Sequence, residues 1–316
     1  MNLFRVFCAL IVMVSHLRIF PNTGLENEIF SVGAIGVDFF FILSGFSMAG
    51  MIEKYKKQKK FPILFLTNRL IRVVVPYIIA TFLYMIVSNQ TYKIDEIYKS
   101  ILFLNNYSQE FKVFGLPLLP PGWSINYEVL FYLSLTVALV CKNINRFPFI
   151  LFLLVLTNVF VPVSFIWLEL IAGFYIFYYS NKINSILSSN IYLFIFIGIV
   201  CCIFIFINRK IAGDFISYQR ILYWGFPATV LFILVQYYRG IFSFFDEYTI
   251  FNVSYSIYLT HWIVLVFNSK NNNFSILNLY AELFFIPVIY YIIIEHPCHK
   301  LSKNLFRFSR GVNKFF

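Results

Sequence analysis

Long apolar runs are the sequence feature that most constrains how this chain can fold. Ten stretches follow one another between residues 4 and 295, each near the ~20 apolar residues that an α-helix needs to cross a bilayer. Because lipid offers no hydrogen bonds to the backbone, such stretches must form helices. Charged residues make up only 12% of the chain, about half the roughly 25% typical of soluble proteins. The sequence therefore predicts an all-α, polytopic integral membrane protein.

The ten predicted spans leave little of the chain outside the membrane. The longest intervening segment, 89–124, is shorter than the roughly 40 residues below which a domain rarely folds alone. We therefore expect one membrane-embedded domain over residues 1–316, with no separate soluble domain. The spans are expected at roughly 4–20, 32–52, 72–88, 125–141, 147–162, 165–180, 190–207, 220–239, 249–268 and 276–295.

The distribution of basic residues predicts how these spans are oriented. Seventeen of the 25 Lys and Arg residues fall on one side when both termini are placed in the cytoplasm, with the largest groups at residues 54–60 and in the C-terminal tail. Cytoplasmic loops of membrane proteins carry such an excess of basic residues. Membrane topology thus accounts for the net charge of +11, and we expect no nucleic-acid partner.

The cysteines and the first twenty residues indicate neither a disulfide or metal site nor a cleaved signal peptide. Five cysteines are present, an odd number without CxxC spacing, so we predict neither disulfides nor a metal site. The N-terminal segment begins like a signal peptide, but no small-residue cleavage site follows it and Arg18 interrupts its end. We therefore interpret it as the first span.

Polar residues inside the first two spans are the first candidates for function, because such residues are costly in lipid. Arg5 and His16 are eleven residues apart, which returns them to within ~20° of one helix face with a rise of ~16 Å. Asp38 is expected at the depth of His16, where a carboxylate would fix the imidazole tautomer. The alternatives are that Arg5 reaches lipid phosphate, His16 makes a packing contact and Asp38 caps a helix.

Two arginines precede the third span. Arg69 and Arg72 are three residues apart, so they share a helix face at the predicted cytoplasmic boundary. Guanidinium groups bind polyanionic phosphates through paired donors, which indicates a phosphate-bearing ligand. Attraction to anionic lipid headgroups is the open alternative.

The fourth and ninth spans carry the remaining candidates. Glu128 enters the fourth span on the predicted outer side, and Ser124 lies four residues earlier on the same face. Trp123 is expected at the interface, and His261 lies near the depth of His16. A membrane-embedded glutamate is a functional candidate, although a buried ion pair with an arginine would also explain it.

Six motifs in chain order resemble the acyltransferase 3 family of membrane acyltransferases, which includes bacterial O-antigen and polysaccharide O-acetyltransferases. Each motif is weak alone, but six in register are specific and span essentially the whole chain. One departure is Asn68, which stands where the family usually has another arginine. The motifs are RVFCALIVMVSH (with Arg5 and His16), GVDFFFILSGF, NRLIRVVVPY, WSINYE, SYSIYLTHW and EHP.

The resemblance implies a ten-helix enzyme of the bacterial cytoplasmic (inner) membrane. Such an enzyme takes acetyl from cytoplasmic acetyl-CoA and transfers it to a hydroxyl of a lipid-linked or nascent surface polysaccharide on the far side. Family roles carried to matching positions make Arg5 and His16 the essential pair and make Arg69 and Arg72 contacts for the donor. No metal is implied, and the oligomeric state is left open.

We interpret His16, oriented by Asp38, as the general base that takes the proton from the sugar hydroxyl. Glu128 is expected to hold the acceptor or assist proton transfer, and Trp123, Ser124 and His261 to contact the acceptor. A route through an acylated side chain stays open. The alternatives from other classes are a polysaccharide or lipid transporter without covalent chemistry and a purely structural membrane subunit.

Overall fold

A computed structural model gives the fold of the protein. It describes residues 1–18, 28–56, 61–104, 116–141, 149–150, 153, 165–215, 217–240, 252–270 and 275–312. Within these ranges the chain is helical and contains no strand, so the predicted all-α class is confirmed.

Fourteen α-helices run through the described residues. They are α1 (Asn2–Leu17), α2 (Ile35–Tyr55), α3 (Phe61–Arg69), α4 (Val75–Ser88), α5 (Ile94–Ile101), α6 (Trp123–Val140), α7 (Trp167–Tyr178), α8 (Ser180–Ser189), α9 (Ile191–Ile207), α10 (Tyr218–Arg220), α11 (Phe226–Tyr237), α12 (Ser254–Lys270), α13 (Ile276–Tyr290) and α14 (His296–Val312).

Among the described residues, five continuous helices are long and apolar enough to cross a membrane, namely Ile29–Tyr55, Phe61–Ser88, Pro120–Val140, Tyr218–Gly240 and Ile276–Leu305. A sixth would be the pair α8 and α9, which is bent by 102°. The predicted spans 4–20 and 165–180 correspond to shorter apolar helices, and most of the predicted span 147–162 lies outside the described residues. The chain is thus a multi-pass membrane protein, while the count of ten and the cytoplasmic termini stay predictions.

Three short π-helical segments interrupt the long helices, and each has a proline as its cause. The segments are Leu70–Val74, Ile221–Gly225 and Tyr291–Glu295. In each case a proline follows two residues after the segment ends. Proline has no N–H and clashes with the carbonyl four residues earlier, so the turn before it widens. Two of these widened turns carry Arg72 and Glu295, which both line the cavity described below.

Reciprocal glycines allow α2 and α7 to pack closely at the centre of the bundle. A Cβ atom at Gly45 would overlap the carbonyl oxygen of Leu170, and one at Gly173 would overlap that of Ile42. Small residues let helix backbones approach in this way within membranes. Helix α1 packs against α2 and α12, and this places its polar residues inside the bundle.

Candidate functional site

A cavity of about 460 Å³, here called the arginine cavity, collects the predicted donor-binding residues. Arg5 reaches it from the start of α1, whereas Arg69 and Arg72 reach it from α3 and its π segment. Four cationic side chains and several hydroxyls converge on one volume. Its polar lining residues are Asn2, Arg5, Ser44, Ser47, Lys54, Tyr55, Arg69, Arg72, Ser124, Glu128, Tyr132, Asn252, Ser254, Tyr255, Tyr258, Glu295 and His299.

Neighbouring side chains fix the positions of Arg5 and Arg69. Arg5 donates to the Ser47 hydroxyl at 2.7 Å, which fixes the guanidinium against α2. The guanidinium of Arg69 lies 5.8 Å from the centre of the Tyr132 ring and 3.5 Å from the sulfur of Met51. Arginine stacks on aromatic faces in this manner and keeps its planar fork available to an anion.

Glu128 is the acidic counterpart of these arginines. Its carboxylate accepts a hydrogen bond from Ser44 at 2.5 Å and another from Tyr132 at 2.6 Å, and it interacts electrostatically with Arg5. Ser124, four residues earlier, lines the same cavity, as the shared helix face predicted. Glu128 thus lines the arginine cavity, whereas the sequence analysis expected it on the outer side, where it would hold the acceptor or assist proton transfer.

A second cavity of about 300 Å³, here called the histidine cavity, contains His16. His16 lies on the same helix as Arg5, ~16 Å further along its axis. The wall is mainly apolar and includes Trp123, whose ring lies 4.3 Å from that of Phe215. The lining residues with polar or aromatic side chains are Ser15, His16, Arg18, Ser31, Trp123, Phe215, Tyr258 and Trp262.

His16 contacts His261 and not the predicted Asp38. The two ring nitrogens, Nδ1 of His16 and Nε2 of His261, are 3.2 Å apart. His261 is 1% exposed, and its Nδ1 lies 3.1 Å from the carbonyl oxygen of Ile257. His261 therefore lies behind His16 and is not part of the wall of either cavity, although the sequence assigned it to substrate contact.

Asp38 instead forms a buried ion pair with Arg220, so its predicted contact with His16 is corrected. Arg220 donates to both carboxylate oxygens at 2.9 and 2.7 Å, and both side chains are fully buried. A desolvated carboxylate is stabilised far better by a bidentate guanidinium than by a neutral imidazole. Glu169 is close enough to interact electrostatically with both residues.

The two cavities share a wall. Val37 and Tyr258 line both of them. The Tyr258 hydroxyl lies 2.7 Å from the Ser124 hydroxyl and donates to the Pro121 carbonyl at 2.9 Å. The ring of Tyr258 is thereby fixed between the arginine cavity and the histidine cavity.

Sequence reasoning missed four residues of this arrangement. Arg220 was not among the predicted site residues, but a membrane-embedded Asp38 needs a cationic partner, and this need was the available signal. Tyr258 precedes His261 by three residues and therefore shares its helix face. Ser44 and Tyr132 had no signal, because hydroxyl groups are common in membrane helices.

Within the described residues the membrane protein is helical, and its helix α1 contributes Arg5 to the arginine cavity and His16 to the histidine cavity. These features are those of the acyltransferase class. The family model described as an acyltransferase domain, acyltransferase 3, matches residues 1–294, so the chain belongs to this family and the suspected resemblance is confirmed. It is also similar to the exopolysaccharide production protein ExoZ of Rhizobium meliloti (strain 1021), with 30% identity over 109 residues. That match spans 33% of either chain. No solved structure matches the chain.

Proposed function

We propose that this membrane acyltransferase moves an acetyl group from cytoplasmic acetyl-CoA to a hydroxyl of a cell-surface polysaccharide on the opposite side of the membrane. The observation that carries the proposal is the common wall of the two cavities at Val37 and Tyr258. The thioester of a donor bound in the arginine cavity and the hydroxyl of an acceptor bound in the histidine cavity meet at this wall.

The arginine cavity suits the donor because coenzyme A carries several phosphates on a long, flexible arm. Arg69 and Arg72 would bind the phosphates through their paired donors, with Arg5 further inside. Ser44, Ser47 and Glu128 then offer hydrogen-bond partners to the amides of the arm. Such an arrangement leaves the acyl group near Tyr258, at the wall that the two cavities share.

The transfer requires one proton acceptor, and we assign this role to His16. Its imidazole takes the proton of the sugar hydroxyl while the oxygen attacks the thioester carbonyl. Collapse of the tetrahedral intermediate breaks the carbon–sulfur bond, and the proton passes from His16 to the departing thiolate. The products are the O-acetyl ester and free coenzyme A, with no change in oxidation state.

The acceptor is proposed from the chemistry of the histidine cavity. Aromatic walls such as Trp123, Phe215 and Trp262 suit the apolar face of a sugar ring, and Ser15 and Ser31 can hydrogen-bond to its hydroxyls. The name of the relative, an exopolysaccharide production protein, supports a polysaccharide acceptor. A lipid-linked or nascent chain fits because the site lies within a membrane bundle.

Purified protein in neutral-lipid vesicles tests the proposal through acyl-CoA titration with an oligosaccharide acceptor. Changing Arg69 and Arg72 together to Gln should raise the KM for acetyl-CoA at least tenfold, because each charge-assisted bond contributes roughly 1.5–3 kcal/mol. The KM for the acceptor should stay within about twofold. Substitution by Lys should rescue only partly, since ammonium lacks the paired fork. An unchanged donor KM would remove the donor from this cavity.

The His16→Ala variant separates the enzyme from the alternative, a transporter without covalent chemistry. Loss of a general base costs on the order of 10²–10⁴ in rate, so ester formation should fall while acetyl-CoA still binds. Radiolabelled acetyl supplied as acetyl-CoA follows the ester directly. Wild-type protein that moves the sugar across the vesicle but leaves it unlabelled would establish the transporter function instead.

A further inference from the structure

We infer that His261 is the positioning residue that fixes the ring tautomer of His16, so that the Nε2 atom of His16 is the proton acceptor. This inference rests on the proposed function for its catalytic meaning, but the tautomer is a property of the protein alone. It replaces the expected His16–Asp38 pair with a pair of histidines.

The tautomer of His261 follows from its backbone partner. The Ile257 carbonyl oxygen, 3.1 Å from Nδ1, can only accept a hydrogen bond, so Nδ1 of His261 carries the proton. In a neutral imidazole the other nitrogen then has a free lone pair. His261 is 1% exposed, and burial without an anionic partner favours this neutral form.

The tautomer of His16 follows from that of His261. The Nε2 atom of His261 lies 3.2 Å from Nδ1 of His16 and carries a lone pair, so Nδ1 of His16 donates its proton to this nitrogen. The Val12 carbonyl, one turn earlier, accepts a hydrogen bond from Ser15 at 2.7 Å and has a second lone pair for His16, so it too favours a protonated Nδ1. With Nδ1 protonated, the Nε2 atom of His16 keeps its lone pair.

Two ring contacts hold this arrangement in place. The His16 and His261 rings lie 5.1 Å apart with 28° between their planes, and the Trp262 ring lies edge-on to His16 at 5.1 Å. When His16 accepts a proton during transfer, its Nδ1–H bond to His261 persists and strengthens as a charge-assisted bond. The imidazolium is thus stabilised by a neutral acceptor, without a carboxylate.

Nitrogen-15 NMR of histidine-labelled protein in bilayers measures the tautomer directly, without donor or acceptor. The chain has four histidines, and subtracting the spectrum of the His16→Gln variant identifies the signals of His16 among them. We expect His16 to show a protonated Nδ1 and an unprotonated Nε2. A protonated Nε2 in the wild-type protein would overturn the inference, whatever the protein's activity proves to be.

Two amide variants form a matched pair, because they differ only in reach. The side-chain amide of His261→Gln extends to the position of Nε2 and retains an acceptor for His16, whereas that of His261→Asn reaches only the position of Nδ1. We expect His261→Asn to change the His16 tautomer and lower kcat by about 10-fold to 100-fold with unchanged KM for acetyl-CoA. His261→Gln should retain the His16 tautomer and most of the wild-type kcat. Equal behaviour of the two variants would overturn the inference.

A double-mutant cycle excludes a merely structural role for His261. If His261 acts only through His16, the double variant His16→Ala/His261→Asn should be no slower than His16→Ala alone. A further loss of tenfold or more would show that His261 contributes independently of His16, and would overturn the inference. If no variant or wild-type protein transfers acetyl, the proposed function fails, while the NMR result still decides the tautomer.

Discussion

Breaking the buried pair of Asp38 and Arg220 should destabilise the protein strongly, and neither residue should take part in catalysis. Both side chains are fully buried, and two contacts of 2.9 and 2.7 Å join them. The Arg220 guanidinium also lies 4.9 Å from the Phe215 ring and 4.4 Å from the Trp224 ring. Every group that stabilises this cation is therefore supplied by the protein, because water does not reach it.

Removal of Arg220 leaves the Asp38 carboxylate buried without its cation, at a cost of about 3–5 kcal/mol. We expect the free energy of unfolding to fall by this amount for Arg220→Met and by less for Asp38→Asn, because the Glu169 carboxyl stays beside Arg220. The double variant should recover at least half of the loss seen for Arg220→Met, since neither charge of the pair stays in the core. Asp95→Asn is the matched control, because its partner Lys99 is exposed and the change should have little effect.

Denaturation in mixed micelles of detergent and SDS measures the free energy of unfolding, and acetyl-CoA titration measures the function of the folded fraction. Asp38 is not part of the wall of either cavity, so donor affinity should be unchanged in protein that stays folded. The reasoning is refuted if Asp38→Asn keeps wild-type stability but loses turnover. That result would return Asp38 to the catalytic role predicted from the sequence.

Three further predictions concern topology, packing and the shared wall. In a cysteine-free background, Lys56→Cys should be shielded from an impermeant thiol reagent in intact cells, whereas Thr91→Cys is labelled; the reverse labelling would invert the predicted orientation. Gly45→Val should prevent close packing of α2 and α7 and lower the yield of folded protein, whereas Gly240→Ala meets no atom within 4 Å and should not. Tyr258→Ala should join the two cavities and raise acceptor-independent hydrolysis of acetyl-CoA, measured as free thiol; an unchanged rate would contradict the role of the wall.

The class of protein and the residues that share a cavity could be predicted from the sequence because they depend on local patterns. Apolar runs determine membrane helices wherever the rest of the chain lies. The spacing of Arg69 and Arg72 predicted a shared face, and both line one cavity together with Arg5. Glu128 and Ser124 likewise share a cavity, as their four-residue spacing predicted.

The partners of the buried polar groups were decided only by the tertiary structure. Asp38 and Arg220 are 182 residues apart in the chain, and His16 and His261 are 245 apart. Depth in the membrane indicated His16 as the partner of Asp38, but helix periodicity does not state which helices are neighbours. The packing of α1 against α12 places the two histidines in contact. Asp38 pairs with Arg220 because a desolvated carboxylate is stabilised best by a bidentate guanidinium.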